Sequence, residues 1–318
     1  AGNVTEAKQR LHHLDLVTGD EIPWKHLKIS FDEIFKNTGS PSNRLWQGET
    51  LKSKLVVHTA GIREDEILLF IRLLPALQTK CQDIALVVRA SMMLLISRVI
   101  GVDQVLEEEN FDEKQLNSDV KITHIHSLPQ LLGIEDRFLP DTDRYLYPDT
   151  ARERPWDINQ HSNNRLNIGL FWTNTNIPTG PLQEFRFEEY EPIVQTEGAN
   201  FIGLAKPVDK LQKDHLRDLD VGDIGSVIRD TEDLAAAIDG VDLLITSDSL
   251  AAHISGALAK PTILLLPLLP NWYWGYKETI SSHYKTIVIM RQSAANNWDR
   301  PVQKTLTRLV EQYDLRVD

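Results

Sequence analysis

Residues 242–270 read Asp-Leu-Leu-Ile-Thr-Ser-Asp-Ser-Leu-Ala-Ala-His-Ile-Ser-Gly-Ala-Leu-Ala-Lys-Pro-Thr-Ile-Leu-Leu-Leu-Pro-Leu-Leu-Pro, and this stretch decides the fold. The apolar run Leu243 to Ile245 predicts a strand. Thr246, Ser247, Asp248 and Ser249 predict a polar turn. Leu250 to Leu258, rich in small residues, predicts a helix, and a second apolar strand is expected after Pro261. The N-terminus of such a helix offers free N–H groups and partial positive charge, which suit a phosphate or diphosphate. Ala251, Ala252, Ser255, Gly256 and Ala257 keep the helix thin enough for close approach. His253 lies one turn beyond Ser249 and is placed to face the same side. Ser and Asp before a helix are also ordinary N-caps, and the turn lacks Gly-x-Gly-x-x-Gly spacing, so a ligand-free α/β unit fits the same letters.

Working outward, strands and helices alternate on both sides of a break. Lys54–His58, Ile84–Val88, Val102–Leu106 and Ile122–Ile125 read as strands, with helical stretches at Glu66–Thr79, Met92–Val99 and Pro129–Gly133. Residues 135–164 are rich in Pro, Asp, Arg and Asn and read as a linker. Strands are expected again at Leu166–Trp172, Asn200–Leu204 and Tyr284–Met290, with helices at Phe187–Thr196, Thr231–Ile238 and Pro301–Tyr313. Residues 5–36 carry two apolar helical faces around Thr18-Gly19-Asp20 and predict a helical hairpin, followed by a loop over 37–43. The predicted class is α/β: two doubly wound, Rossmann-like lobes facing a cleft, behind a short N-terminal hairpin. The expected boundaries are 1–40, 41–150 and 151–318.

Composition narrows the function. A net charge of −12 with no basic stripe argues against a nucleic-acid partner. The single cysteine, Cys81, excludes disulfides within the chain and multi-cysteine metal sites, and suits a reducing cytoplasm. No apolar run is long enough for a membrane span, and no signal-peptide core is present at the start of the sequence. His12-His13 and the pair His124, His126 suggest metal only weakly, because no third ligand is evident; the second pair alternates on a predicted strand.

The segment Ser247-Asp248-Ser249-Leu250-Ala251-Ala252-His253 resembles the Asp-Thr-x-x-x-His segment of GT-B glycosyltransferases. The similarity is strongest to the bacterial tetratricopeptide-repeat glycosyltransferases, a group similar to the lipopolysaccharide heptosyltransferase and O-GlcNAc transferase families. It continues through Gly256–Pro261, Leu266–Trp274, Arg291-Gln292 and Trp298-Asp299. Gly222-Asp223-Ile224, Thr231–Leu234 and Ile168–Trp172 resemble earlier parts of the same lobe, and Leu45–Glu49 the start of the other. Thr18-Gly19-Asp20 with Trp24 resembles a last tetratricopeptide repeat. A single repeat cannot form a peptide-binding superhelix, so a cap is expected there.

The resemblance implies transfer of a sugar from a nucleotide-diphosphate donor to an acceptor hydroxyl, without a bound metal or other cofactor and with inversion. It implies nucleotide-sugar contacts at Thr173, Asn174, Thr175, Ser247, Asp248, Ser249, His253 and Trp272, with Trp274 also near the cleft. His253 serves equally well as ligand contact or as brace for the turn. The acceptor, protein or glycan, stays open, as does a homo-oligomer. Relatives carry Gly-x-Gly-Asp after the first strand, the Asp being the candidate base. Here the turn reads Ala60-Gly61-Ile62-Arg63-Glu64-Asp65-Glu66, so Asp65 or Glu66 takes the catalytic position. The same acidic residues also suit the first turn of a helix. The phosphate turn at 173–175 has no Lys or Arg, and Lys206 or Arg186 are the substitutes available. These departures support an alternative, a non-catalytic GT-B module acting in binding or assembly. In that case Arg63 pairs with an acidic neighbour and plugs the turn. A sugar-nucleotide epimerase of the same architecture has no motif in its favour.

Overall fold

A computed structural model describes residues 23–24, 44–136, 138–140, 143–158, 165–172, 185–207, 209–277 and 279–316. The expected hairpin, apart from residues 23–24, lies outside the described residues, as do Thr173, Asn174 and Thr175. The chain divides into two compact units, with one break between Tyr147 and Pro148.

The first unit is built on a four-stranded parallel sheet. Its strands are β1 (Leu55–His58), β2 (Ile84–Val88), β3 (Gln104–Glu107) and β4 (Lys121–His124), in the order β3-β2-β1-β4. Every residue of β2 is buried, as expected of a parallel strand covered on both faces. The helix Glu64–Phe70 follows β1 and buries Ile67, Leu68, Leu69 and Phe70. Glu64, Asp65 and Glu66 fill its first turn, where the helix dipole favours negative charge. The predicted helix over 66–79 is present but broken: a tight turn at Ile71–Leu73 separates Glu64–Phe70 from Leu74–Leu77.

The second unit holds a six-stranded parallel sheet. Its strands are β5 (Leu166–Phe171), β6 (Ala199–Gly203), β7 (Gly222–Asp223), β8 (Leu243–Ser247), β9 (Thr262–Leu266) and β10 (Ile287–Arg291), in the order β10-β9-β8-β5-β6-β7. Helices Thr231–Gly240, Leu250–Ala257 and Asp299–Tyr313 link or close these strands. The core includes a chain of rings: Trp172 lies 4.8 Å from Phe187, and Phe185 lies 4.7 Å from Tyr190 and 4.8 Å from Trp298.

Two expectations are corrected. Thr246 and Ser247 belong to β8 and not to the turn: Thr246 is laddered on both sides, opposite Phe171 and Leu264, and Ser247 on one, opposite Leu265. The last strand is Ile287–Arg291, three residues later than the apolar letters suggested, which frees Tyr284 for another contact. The helix Lys210–Asp218 was not foreseen; its single buried residue, Leu216, gives too little apolar signal.

Both sheets reverse direction once. In the first, β1 is followed by β2 on one side and flanked by β4 on the other; in the second, β5 has β6 on one side and β8 on the other. At such a point the chains leave neighbouring strands in opposite directions and open a crevice above their carboxyl ends. Tyr190 fixes the floor of the second crevice. Its buried hydroxyl lies 3.0 Å from the carbonyl of Phe171 and 3.2 Å from that of Ile245, so it ties β5 to β8. Tyr190→Phe should therefore cost about 1 kcal/mol in urea unfolding.

Candidate functional site

The carboxyl end of β8 carries the residues that the sequence singled out. Ser247, Asp248, Ser249 and His253 are all at most 1% exposed, and Trp272 is 8% exposed. The structure brings them together but gives them different tasks. Asp248 turns inward. Its Oδ1 accepts from Trp274 Nε1 at 2.8 Å, and its Oδ2 accepts from Asn271 Nδ2 at 2.8 Å and from the Asn271 backbone N–H at 3.3 Å. The carboxylate thus pins the segment after β9 to the start of the helix. His253 Nδ1 lies 3.0 Å from the Tyr284 hydroxyl, with the rings of Tyr273 and Trp274 packed at 4.8 and 4.9 Å. Gly256 lets Tyr284 come this close, since a Cβ there would lie 2.2 Å from the Tyr284 ring. Of the two readings open for His253, the Nδ1–Tyr284 contact matches a brace for the turn, and the Asp248 carboxylate is engaged by Asn271 and Trp274.

Ser247 is different. Its Oγ is buried and has no hydrogen-bond partner among the described residues. Two further buried donors stand unpartnered among the described residues at the carboxyl edge of this sheet: Trp172 Nε1, just after β5, and Gln292 Nε2, just after β10. Native proteins rarely leave such groups unmet without a ligand, ion or water. Ser249 is the N-cap residue of the helix Leu250–Ala257, yet its side chain does not cap; it bonds Thr246 Oγ1 at 3.0 Å. The first N–H groups of the helix therefore remain available. Lys206 is an exposed cation just past the carboxyl end of β6.

The crevice of the first unit is more closed. Arg63 forks onto Asp65 at 3.0 and 3.1 Å, and Asp65 also accepts the Glu66 backbone N–H at 3.0 Å. Asp65 is 1% exposed. Glu66 is held more loosely, 3.7 Å from Arg63 and 3.8 Å from His126 Nε2, with a side chain 14% exposed. Of the two carboxylates named from the sequence, Asp65 is the more deeply buried and Glu66 the more exposed.

Three imidazoles surround this turn. His124 Nε2 lies 3.1 Å from the Ala60 carbonyl and therefore donates, so its Nδ1 is a lone pair and accepts the His126 backbone N–H at 3.3 Å. This arrangement requires neutral His124. Burial lowers His58 and His124 from the usual 6.5 to about 4, and His126 to about 3. Among the described residues no group of three or more His, Cys, Asp or Glu is placed to hold a metal ion. No helix among them is long and apolar enough to cross a membrane.

No family model and no curated protein matches the sequence. The likeness is in three dimensions. The chain is similar to E. coli ADP-heptose LPS heptosyltransferase II (14% identity, TM-score 0.56, covering 81% of this chain and 97% of that one). It is also similar to a glycosyl transferase family 9 structure from Veillonella parvula (13% identity, TM-score 0.53, 81% and 92%). A third similar structure is E. coli heptosyltransferase WaaC with ADP-2-deoxy-2-fluoro heptose (12% identity, TM-score 0.51, 82% and 100%). At these identities the likeness is one of fold: two parallel α/β sheets arranged along the chain as in Rossmann-like glycosyltransferases.

Two measurements follow from the geometry. Asp248→Ala leaves the donors of Trp274 and Asn271 without an acceptor and should cost about 2–4 kcal/mol in urea unfolding followed by tryptophan fluorescence. The three lowered histidines bind fewer protons folded than unfolded between pH 6.5 and about 4. Their contribution is complete above pH 6.5 and is lost as pH falls, at up to about 1.4 kcal/mol per pH unit for each. His126→Gln should flatten that slope by about a third; an unchanged slope would mean that these groups are not buried neutral.

Proposed function

We propose that this chain is a glycosyltransferase that moves a sugar from a nucleoside-diphosphate donor to an acceptor hydroxyl. The observation that carries the reading is the unpartnered Ser247 hydroxyl, buried at the reversal of strand order beside the free N-terminus of the helix Leu250–Ala257. Such a terminus favours the charge that gathers on a departing diphosphate. Ser247 and the first N–H groups of the helix would hold the phosphates. Asp248, His253 and Trp274 would keep that turn in place, and Trp272 would border the donor.

On the acceptor side Glu66 would act as base. It takes the proton of the acceptor hydroxyl; the oxygen attacks the anomeric carbon from the face opposite the diphosphate; the bond from that carbon to the phosphate oxygen breaks and the nucleoside diphosphate leaves. The configuration inverts. In this scheme the helix terminus and backbone donors meet the leaving charge, and no metal is required. The fold shared with proteins described as ADP-heptose and WaaC heptosyltransferases supports a sugar nucleotide as donor.

One observation favours a second reading. The Arg63–Asp65 fork fills the turn in which relatives carry glycine, as a non-catalytic binding module would require. Calorimetry with UDP, ADP, GDP and CDP, combined with release of free sugar from the matching donor, separates the two. Transferase activity predicts binding of one nucleotide, a loss of about fivefold in affinity for Ser247→Ala, and turnover abolished in Glu66→Gln with binding intact. Binding without turnover in the unaltered protein would establish the second reading, and no nucleotide binding would overturn both.

A further inference from the structure

The second unit has a cavity of about 840 Å³ at the amino ends of β5 and β6, the end of the sheet opposite Ser247. This volume is in the range of small-molecule sites. The β5 strand has six residues, which separates the two ends by roughly 17 Å.

The cavity arises from a notch in the sheet edge. The strand β7 has only two residues and pairs with Ile202 and Gly203 alone. At the other end of the edge Arg316 pairs antiparallel with Glu197, with N–H to carbonyl distances of 2.8 and 3.1 Å in the two directions. Between them no described residue pairs with the edge. Leu204 N–H donates to Leu170 on β5, whereas Gly203 accepts from Ile224 on the opposite side. Backbone groups alternate along a strand, so Ala199 directs its N–H and carbonyl into the notch.

Polar and apolar side chains share its wall. Asn167 is 5% exposed; its Oδ1 accepts from Asn200 Nδ2 at 3.0 Å, and its own amide NH2 has no partner among the described residues. Arg165 and Arg316 line the cavity, as do Glu197, Asp220 and Asp314, and among the described residues none of the five makes an ion pair. Two guanidiniums and three carboxylates leave a net charge of only −1, which gives a polyanion no attraction and a polycation little. They do supply planar donor pairs and acceptor pairs, which match neighbouring hydroxyls on a ring, and Phe201 and Ile202 also line the cavity.

We infer that this notch is a second ligand site, for an uncharged hydroxyl-rich molecule of one or two sugar rings. It is independent of the donor crevice and stands whether or not the chain transfers sugar. The test is amide NMR of the full chain titrated to tens of millimolar with methyl glucoside, N-acetylglucosamine and maltose, with glucose 6-phosphate and inorganic phosphate as charged controls. At least one neutral sugar should shift the amides of Ala199, Phe201 and Gly222. The affinity should fall at least fivefold in the well-exposed double variant Arg165→Ala, Arg316→Ala, and should not change with saturating nucleoside diphosphate. No shift with any neutral sugar, shifts confined to the carboxyl end of the sheet, or tighter binding of the phosphates than of the sugars would each overturn the inference.

Discussion

Everything at the candidate donor site depends on one constraint of parallel sheets. Neighbouring strands whose chains leave in opposite directions cannot be roofed by either connection. Here β5 and β8 are those neighbours. The gap above them is a matter of topology, and it persists only if the two strands stay in register. Tyr190 supports this from below by holding carbonyls of both strands with one hydroxyl. Full burial pushes its phenol well above the usual range, so the hydroxyl keeps its proton for that task.

Above the gap, two conspicuous residues are engaged by the protein itself. Asp248 and His253 look like ligands in a linear sequence because acids and histidines near a helix N-terminus often are. In three dimensions each is covered and occupied, one by Asn271 and Trp274, the other by Tyr284. A buried carboxylate satisfied by neutral donors is a strong positional device, since removing it strands all of them. What remains for a ligand is modest in appearance: a serine hydroxyl, two side-chain N–H donors and the end of a small-residue helix. The other unit shows the same division of labour. Asp65 is forked by Arg63, while Glu66 lies 3.7 Å from the same guanidinium.

The sequence disclosed the alternation of strands and helices well, because parallel strands are apolar runs and Ile84–Val88 or Thr262–Leu266 can be little else. It disclosed strand ends poorly. Thr246 and Ser247 look like turn residues by composition, yet a central strand accepts them because its ladder engages Thr246 on both sides and Ser247 on one. The helix Lys210–Asp218 was invisible for the opposite reason: it is mostly solvated and carries almost no apolar pattern. The site was legible as a place and much less so as a set of roles. The Asp248–Trp274 and His253–Tyr284 pairs join residues 26 and 31 positions apart, and no local rule connects them. The open edge beside Ala199 was equally hidden, since it depends on how short β7 is.

The measurement that most directly tests the account is amide hydrogen exchange with and without a saturating nucleoside diphosphate. The account predicts added protection at the first turn of the helix Leu250–Ala257 and at the carboxyl end of β8, with the amino end of the sheet unchanged. Protection elsewhere with that helix start unaffected would contradict it.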